Sequence, residues 1–221
     1  MKACVFDAYG TLLDLGSAVA PHAAVLGEAA APLLALWRRK QLEYTWLRTL
    51  MGRHADFETI TRDALAYALE ALGLRAPDLE PQLGRAFRML DAYPDAVATL
   101  TRIRAAGIRT AVLSNGNPDM LGEAFVRAGL TALLDQVISV QPLGVYKPSP
   151  RVYAMAAEVL GLPPAEIAFV SGNAWDAAGG ANAGLHVVLI EAPGTPAERL
   201  PAAPMARVRA LAEVPGVLGV P

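Results

Sequence analysis

The chain has 221 residues, with 19 Lys or Arg against 21 Asp or Glu and a formal net charge of −2. This near-balance gives no electrostatic case for a nucleic-acid partner or for an anionic membrane surface. The length suits one large domain, or one domain with an insertion, and it is enough to bury a sizeable core. The only cysteine, Cys4, lies in the first apolar run and predicts a buried thiol rather than a disulfide.

The N-terminus predicts where the protein works. Met1 and Lys2 lead directly into the first apolar run, which argues against a signal peptide. We also find no apolar run that approaches the ~20 residues of a membrane span. We therefore expect a cytoplasmic protein with no membrane partner.

Short apolar runs predict strands, and most are followed by a turn and a helical pattern. The predicted strands cover residues 3–6, 109–113, 136–140, 167–170 and 186–190, with a last edge strand over 206–211. The predicted helices cover residues 118–128, 150–160 and 174–183. Strands that alternate with helices are typical of βαβ units, so we predict an α/β fold with a Rossmann-like parallel sheet as its core.

Residues 15–90 interrupt this alternation, because they are rich in helical pattern and contain no convincing strand. Within them, residues 33–51 and 64–72 carry apolar side chains at helical spacing. A Tyr-Pro-Asp turn at 93–95 then marks the return to the sheet. We predict a helical cap subdomain over residues 15–90, inserted into an α/β core domain formed by residues 1–14 and 91–221.

Asp7 follows the first predicted strand directly, and a Gly-Thr turn comes three residues later. A carboxylate beside a core is costly to bury, which favours a chemical role, although capping of the next turn is the alternative. Three further polar clusters fall near the ends of later predicted strands: Ser114-Asn115-Gly116, Tyr146-Lys147-Pro148 and the SGNAWD segment at 171–176. Because open α/β sheets bind ligands beyond the carboxyl ends of their strands, we expect all four clusters to converge in one crevice.

These clusters resemble the four motifs of the haloacid dehalogenase superfamily. The segment from Leu36 to Arg48, LWRRKQLEYTWLR, resembles the cap signature of its L-2-haloacid dehalogenases. The resemblance covers most of the chain, with a short C-terminus as one departure. Arg39 also stands where relatives often have Gln, and Gly172 where they often have Ser, which is expected to loosen the fourth motif. The resemblance implies a small (S)-2-haloacid substrate, hydrolysis to the (R)-2-hydroxy acid with inversion, and a homodimer.

Position 9 separates this chain from most of the superfamily, whose members are Mg²⁺-dependent phosphohydrolases. Those enzymes need a second Asp two residues after the nucleophile to protonate the leaving alcohol, and this chain has Tyr9 there. A halide leaving group needs no proton. The fourth cluster also offers few carboxylates, whereas Mg²⁺ prefers several hard oxygen ligands. We therefore expect no metal and no other cofactor.

The resemblance implies that the Asp7 carboxylate attacks the halogen-bearing carbon and forms an ester. It also implies that Lys147 keeps Asp7 ionised by charge pairing, although a lone loop lysine is more often solvated. Asp176, oriented by Asn173, is expected to activate the water that hydrolyses the ester, with a purely structural pairing to Lys147 as the alternative. Thr11 and Ser171 are expected to hydrogen-bond and orient the two carboxylates, and Tyr153 is expected to hydrogen-bond in the region of Asp7 and Asp176.

The substrate is expected to be held through its carboxylate. Ser114 and the backbone amides of Ala8, Tyr9 and Asn115 are assigned to it, because consecutive turn amides form a nest that binds anions. The apolar wall around the substrate side chain is assigned to Tyr9, Leu42 and Phe57, which could equally be ordinary cap core.

The departing halide gains charge in the transition state, so donors aimed at it accelerate the step. The resemblance places Arg38 of the cap, Asn115 and the edge of Trp175 there. The alternative for Arg38 is an ordinary surface arginine, which is how we interpret Arg39.

Two other functions stay open at this point. A Mg²⁺-dependent small-molecule phosphohydrolase of the same superfamily is the first, and Tyr9 and Trp175 argue against it. A non-catalytic capped protein that binds small carboxylates is the second. Binding alone would not need Asp7, Lys147 and Asp176 at one site.

Overall fold

The computed structural model describes residues 1–74 and 77–220. Its strands, in chain order, are β1 (Ala3–Phe6), β2 (Leu13–Asp14), β3 (Asp91–Ala92), β4 (Arg109–Ser114), β5 (Gln136–Ser139), β6 (Ile167–Ser171), β7 (His186–Ile190) and β8 (Ala206–Val208). Its α-helices are α1 (Ala23–Leu26), α2 (Ala30–Leu50), α3 (Phe57–Ala71), α4 (Glu80–Gly84), α5 (Ala96–Ala105), α6 (Pro118–Arg127), α7 (Pro150–Leu160), α8 (Ala174–Asn182) and α9 (Val214–Val217). Short 3-10 turns occupy Leu15–Ala18, Ala20–His22, Gly27–Ala29, Ala86–Arg88, Thr131–Leu133, Gln141–Leu143, Pro164–Glu166 and Leu211–Glu213.

Six strands form one parallel sheet in the order β5-β4-β1-β6-β7-β8. β1 lies at its centre, where Phe6 pairs with Val112 of β4 and with Val170 of β6. All four residues of β1 are buried, as expected for a parallel strand covered by helices on both faces. The residue that follows β1 is therefore placed at the carboxyl edge of the sheet, between the ends of β4 and β6. That residue is Asp7.

The structure confirms the predicted fold class, a Rossmann-like parallel sheet with an inserted helical cap. β1, β7 and α7 have the predicted bounds, and most other predicted elements of the sheet domain differ by one residue at an end. The last edge strand is shorter than the predicted 206–211, because β8 ends at Val208 and a 3-10 turn begins at Leu211.

α2 and α3 form the main helical pair of the inserted region and pack against each other. α3 begins at Phe57, earlier than the predicted residue 64, because Asp56 caps it through a hydrogen bond from Thr59 N to Oδ1 of 2.8 Å. The indole Nε1 of Trp37 in α2 donates to Thr61 O in α3 at 2.8 Å. This contact fixes the register of the two helices.

The sequence did not predict β2 and β3, a two-residue antiparallel pair in which Leu13 faces Ala92 and Asp14 faces Asp91. This pair lies where the chain leaves the sheet and where it returns, next to both boundaries predicted for the cap. The division into core and cap subdomains stays a prediction, and residues 75, 76 and 221 within it lie outside the described residues.

The expectation that no apolar run approaches the length of a membrane span needs correction. The helical stretch Leu15–Leu50 is long and apolar enough to cross a membrane, by length and composition alone. The stretch is not one continuous α-helix. Gly27 has a φ of +52° and ends α1, and α2 begins only at residue 30. α2 then buries Trp37 and Gln41 against α3, so part of the stretch packs inside the protein.

Candidate active site

Asp7 is buried at the carboxyl end of β1, with 6% of its surface exposed. Its backbone N donates to Val170 O at 2.9 Å, which extends the ladder one residue beyond the strand and fixes the direction of the side chain. Oδ1 accepts a hydrogen bond from Lys147 Nζ at 3.0 Å. Oδ2 accepts from Asn173 Nδ2 at 2.8 Å and from Thr11 Oγ1 at 3.2 Å. The carboxylate is thus buried but fully supplied with donors, one of them a cation.

Lys147 links this carboxylate to a second one. Its Nζ lies 2.8 Å from Asp176 Oδ2, and both side chains are withdrawn from solvent. Asp176 Oδ1 accepts from Tyr153 OH at 2.7 Å, and Oδ2 also accepts from Ser171 Oγ at 3.1 Å. The ring of Phe169 lies beneath the ammonium, 5.0 Å from Nζ. One buried cation therefore stands between two buried carboxylates.

Burial and charge act in opposite directions on the pKa values of Asp176 and Lys147. Burial raises the pKa of the Asp176 carboxyl, while the Lys147 ammonium opposes the rise. Burial lowers the pKa of Lys147, but its two carboxylate partners outweigh burial and the net pKa is raised above its ordinary value. Burial also raises the pKa of Tyr153, so its phenol is neutral and donates to Asp176. A carboxyl with a raised pKa is a stronger base than an ordinary one, which suits general-base chemistry.

Asn173 was expected to orient Asp176. In the structure, its side-chain amide instead donates to the Asp7 carboxylate. Asn173 Nδ2 also lies 3.2 Å from Tyr9 O, so it ties the nucleophile loop to the loop after β6. Only the backbone of Asn173 meets Asp176, through Asp176 N to Asn173 O at 3.0 Å. The side chain of this loop that donates to the Asp176 carboxylate is that of Ser171.

Gly172 does not loosen this loop, contrary to expectation. Its N donates to Thr11 Oγ1 at 2.8 Å. A Cβ built at Gly172 would lie 2.2 Å from Gly10 O, which no side chain tolerates without a shift of backbone. The absence of a side chain therefore lets the first and fourth motifs approach closely.

Arg38 reaches the site from α2. Its Nη2 lies 3.4 Å from Tyr9 O, and its Nη1 donates to Gln41 Oε1 at 2.6 Å. Its Nε is buried and has no hydrogen-bond partner in the part of the chain that the structure describes. Burial lowers the pKa of Arg38, and the nearby Asp7 carboxylate opposes this effect. The neighbouring Arg39 is exposed.

Tyr9 and Phe57 form an aromatic wall, with ring centroids 5.5 Å apart and the rings stacked. Phe87 packs against Tyr9 on another side at 5.3 Å. Leu42 is half-buried on α2, four residues after Arg38. Burial raises the pKa of Tyr9, so it is a neutral phenol, and its OH has no partner in the described ranges.

The predicted nest for the substrate carboxylate lies where the first and second motifs meet. Within residues 1–74 and 77–220, the backbone amides of Ala8, Tyr9 and Asn115 donate to no protein acceptor. Ser114 is fully buried, and its Oγ accepts from Gly116 N at 3.2 Å, which leaves its own proton available. These groups therefore supply free donors next to Asp7.

Asn115 and Trp175 have contacts that the sequence did not reveal. Asn115 Oδ1 accepts from Lys147 N at 3.1 Å, so Asn115 helps to hold the lysine loop. The ring of Trp175 meets that of Trp46 in α2 edge-on at 5.4 Å. Both tryptophans line a largely apolar groove of about 670 Å³ between α2, α8 and the loop that follows Lys147.

Two contacting residues were missed in the sequence. Gln41 is fully buried and holds Arg38, and its place three residues after Arg38 on α2 was the available signal. Asn117 accepts from Phe57 N through Oδ1 at 2.9 Å, which joins the start of α3 to the loop after β4. Asn117 directly follows the predicted Ser-Asn-Gly cluster.

The donor set at the site is that of an anion-binding centre. Among the described residues, no three His, Cys, Asp or Glu side chains come together in a way that could hold a metal ion. The Lys147 ammonium contacts both buried carboxylates of the site, Asp7 and Asp176.

Comparisons with known proteins identify the family of this chain. A family model for hydrolases, described as haloacid dehalogenase-like hydrolase, matches residues 1–184. (S)-2-haloacid dehalogenase 1 of Pseudomonas sp. (strain CBS-3) is 49% identical over 219 residues, which is 99% of this chain and 96% of the relative. A solved structure described as a dehalogenase aligns with a TM-score of 0.95 at 44% identity, covering 98% of this chain and 96% of that one.

A second solved structure adds a chemical detail. The L-2-haloacid dehalogenase of Xanthobacter autotrophicus, with chloropropionic acid covalently bound, aligns with a TM-score of 0.91 at 39% identity, over 99% of this chain and 98% of that one. The chain therefore belongs to the haloacid dehalogenase-like hydrolases and, within them, to the (S)-2-haloacid dehalogenases.

Proposed function

We propose that this chain hydrolyses (S)-2-haloalkanoic acids to (R)-2-hydroxyalkanoic acids through an ester on Asp7. The enzyme acts on carbon–halide bonds, as its curated relatives do. The observation that carries the proposed mechanism is the Asp7 carboxylate, which is buried at the strand end and receives hydrogen bonds from Lys147, Asn173 and Thr11.

In the first step, the Asp7 carboxylate attacks the halogen-bearing carbon in line. The new carbon–oxygen bond forms as the carbon–halogen bond breaks, and the electron pair of that bond leaves with the halide. Arg38 receives the halide, because its Nε is a buried cationic donor without a partner in the described residues. The substrate carboxylate lies against Ser114 and the nest amides, and its side chain lies against Tyr9, Leu42 and Phe57.

In the second step, water attacks the carbonyl carbon of the Asp7 ester, and Asp176 takes a proton from that water. The acyl–oxygen bond breaks, and the hydroxy acid leaves with an oxygen that belonged to Asp7 and takes up the proton that Asp176 holds. The oxygen of water stays in the Asp7 carboxyl group, which releases its remaining proton to solvent and becomes a carboxylate again. Tyr153 and Ser171 hold Asp176 for this step. Because the carbon is attacked only once, its configuration is inverted.

Incubation with (S)- and (R)-2-chloropropionate, each with EDTA, tests the reaction and its stereochemistry together. We expect chloride release and (R)-lactate from the (S)-substrate only, so a racemate should stop at about half conversion. Full conversion of the racemate, or lactate of retained configuration, would show that the substrate is not held as described.

The Mg²⁺-dependent phosphohydrolase is the less supported alternative. Position 9 holds a tyrosine with a buried phenol instead of a carboxylic acid that could protonate a leaving alcohol. Hydrolysis of p-nitrophenyl phosphate with Mg²⁺, together with loss of dehalogenation in EDTA and its restoration by Mg²⁺, would favour that alternative.

We also propose that the protein works in the cytoplasm as a homodimer. Leu47, Leu50 and Met51 form an exposed apolar stretch at the end of α2 that a second copy could cover. Light scattering coupled to size-exclusion chromatography checks the assembly, and a monomer at micromolar concentration would contradict it.

A further inference from the structure

Gln41 lies on the same helix as Arg38 and holds its side chain, and it has no role in the proposed mechanism. Gln41 lies three residues further along α2, on the same face as Arg38. Its side chain is fully buried, although an amide is polar and must find partners when it is withdrawn from water. One partner is Arg38, whose Nη1 donates to Gln41 Oε1 at 2.6 Å.

The second partner of Gln41 lies on α3. Gln41 Nε2 donates to Thr61 Oγ1 at 2.6 Å, and Thr61 Oγ1 donates to Phe57 O at 2.6 Å. A hydroxyl has a single proton, and Thr61 gives that proton to Phe57 O. The Thr61 oxygen can therefore only accept from Gln41. This fixes the Gln41 amide with its NH₂ group toward Thr61 and its oxygen toward Arg38.

The far end of this chain of hydrogen bonds is anchored outside α2 and α3. Phe57 N donates to Asn117 Oδ1 at 2.9 Å in the loop after β4, and the Phe57 ring stacks on Tyr9. Tyr9 O lies 3.4 Å from Arg38 Nη2. The guanidinium is thus held at Nη1 by the α2–α3 pair and at Nη2 by the nucleophile loop.

Two fixed nitrogens determine the direction of the third, because the guanidinium is planar and its donors form a rigid fork. The third, Nε, is buried and has no partner within the described residues. Gln41 is neutral, so it orients Arg38 without compensating its positive charge. We propose that Gln41, supported by Thr61, is a positioning residue that aims the Nε–H of Arg38 at the departing halide. This inference rests on the proposed function.

The test compares two leaving groups, because a group that stabilises the departing halide matters more when the halide leaves less easily. Gln41→Met keeps the volume of the side chain but removes both hydrogen bonds. We expect kcat for (S)-2-chloropropionate to fall roughly 10- to 100-fold with little change in KM. The fall should be smaller for (S)-2-bromopropionate. Inhibition by added chloride should also weaken.

Thr61 provides an independent arm that does not depend on whether the Gln41 variant folds. Thr61→Val removes the hydroxyl that holds the Gln41 amide. We define the bromide-to-chloride ratio as kcat for (S)-2-bromopropionate divided by kcat for (S)-2-chloropropionate, and we expect Thr61→Val to raise this ratio, as Gln41→Met does. Thr61→Ser keeps the hydroxyl and should restore the parent ratio.

Thr45→Val is the matched control. Thr45 is also fully buried on α2, one turn beyond Gln41, and its hydroxyl donates to Leu42 O at 2.6 Å. This variant loses a buried hydrogen bond of the same helix, so it should leave the bromide-to-chloride ratio unchanged.

Equal effects on both substrates in Gln41→Met and Thr61→Val, or no effect in either, would overturn the positioning role. Arg38→Lys separates this failure from failure of the proposed function. If Arg38→Lys shifts the ratio and the Gln41 and Thr61 variants do not, the positioning role is wrong. If Arg38→Lys leaves the ratio unchanged as well, the assignment of the halide to Arg38 is wrong.

Discussion

Lys147 Nζ donates to Asp7 Oδ1 at 3.0 Å, although the two residues lie 140 positions apart in the chain. The lysine side chain is only 1% exposed, so water contributes almost nothing to its solvation. Its charge is instead balanced by Asp7 and Asp176. The ammonium opposes the rise that burial causes in the pKa of the Asp176 carboxyl, and the proposed base needs to be ionised.

Lys147→Met tests this dependence. Removal of the ammonium leaves two carboxylates close together in a buried site, so we expect kcat to fall roughly 100- to 1,000-fold. Because Lys147 opposes the burial-induced rise in the pKa of Asp176, its loss should raise that pKa further. The acid limb of the pH–kcat profile should therefore move to higher pH. An unshifted limb would contradict the charge pairing.

Lys2→Met is the control for the lysine substitution. Lys2 forms a surface ion pair with Glu166 at 2.9 Å and is 65% exposed. Exposed pairs of this kind contribute little, so this variant should keep the parent kcat and the parent pH profile.

The two adjacent arginines of α2 should differ sharply in function. Arg38→Lys keeps the charge but loses the planar fork, so we expect kcat for (S)-2-chloropropionate to fall roughly 10- to 100-fold. Arg39 is exposed, and Arg39→Gln should be nearly silent. Steady-state halide release from both variants checks this. Loss of activity in Arg39→Gln alone would show that the assignment of the cap arginine is wrong by one residue.

Arg88 joins α3 to α6 through a network of ion pairs. Its side chain is 10% exposed and donates to Glu58 of α3 and to Asp119 and Glu123 of α6. Arg88→Met keeps the apolar stem but leaves three partly exposed carboxylates without their shared cation. We expect a loss of about 1–2 kcal/mol in the free energy of unfolding at neutral pH, measured by urea denaturation.

The same network predicts a dependence on pH. Hydrogen bonding from Arg88 lowers the pKa of Asp119, so its contribution to stability is present above the unfolded-state pKa and is lost as the pH falls through the folded-state value. The difference between parent and Arg88→Met should therefore shrink below about pH 4. Arg85→Met, at a 73%-exposed position 4.0 Å from Glu123, should change stability little at any pH. A difference that grows in acid would contradict this account.

The sequence predicted the parts of the site that topology controls. Asp7 and Ser171 come together because parallel strands end at one edge of the sheet, and this depends only on which runs are strands. The pattern also predicted that Lys147 lies in the same crevice. Its contacts with Asp7 and Asp176 could not be derived in this way, because Lys147 lies in a loop whose course depends on tertiary contacts, and the resemblance alone implied the pairing with Asp7.

Other features left little or no signal in the sequence. β2 and β3 are two residues each, too short for any periodicity to reveal. α2 begins at Ala30 without a side-chain cap, so no capping residue marks its start. Gln41 stands among charged residues of the cap signature, where a polar side chain is expected to face solvent. Its burial follows from the packing of α2 on α3.

The route of oxygen tests the central claim, that Asp7 forms an ester which water opens at the carbonyl carbon. A single turnover of (S)-2-chloropropionate in H₂¹⁸O, with enzyme in excess, is followed by mass spectrometry of the lactate and of the peptide that contains Asp7. We expect ¹⁸O in the Asp7 carboxylate and unlabelled lactate. Label that appears directly in the lactate, with Asp7 unlabelled, would mean that water attacks the substrate itself and that Asp7 is not the nucleophile.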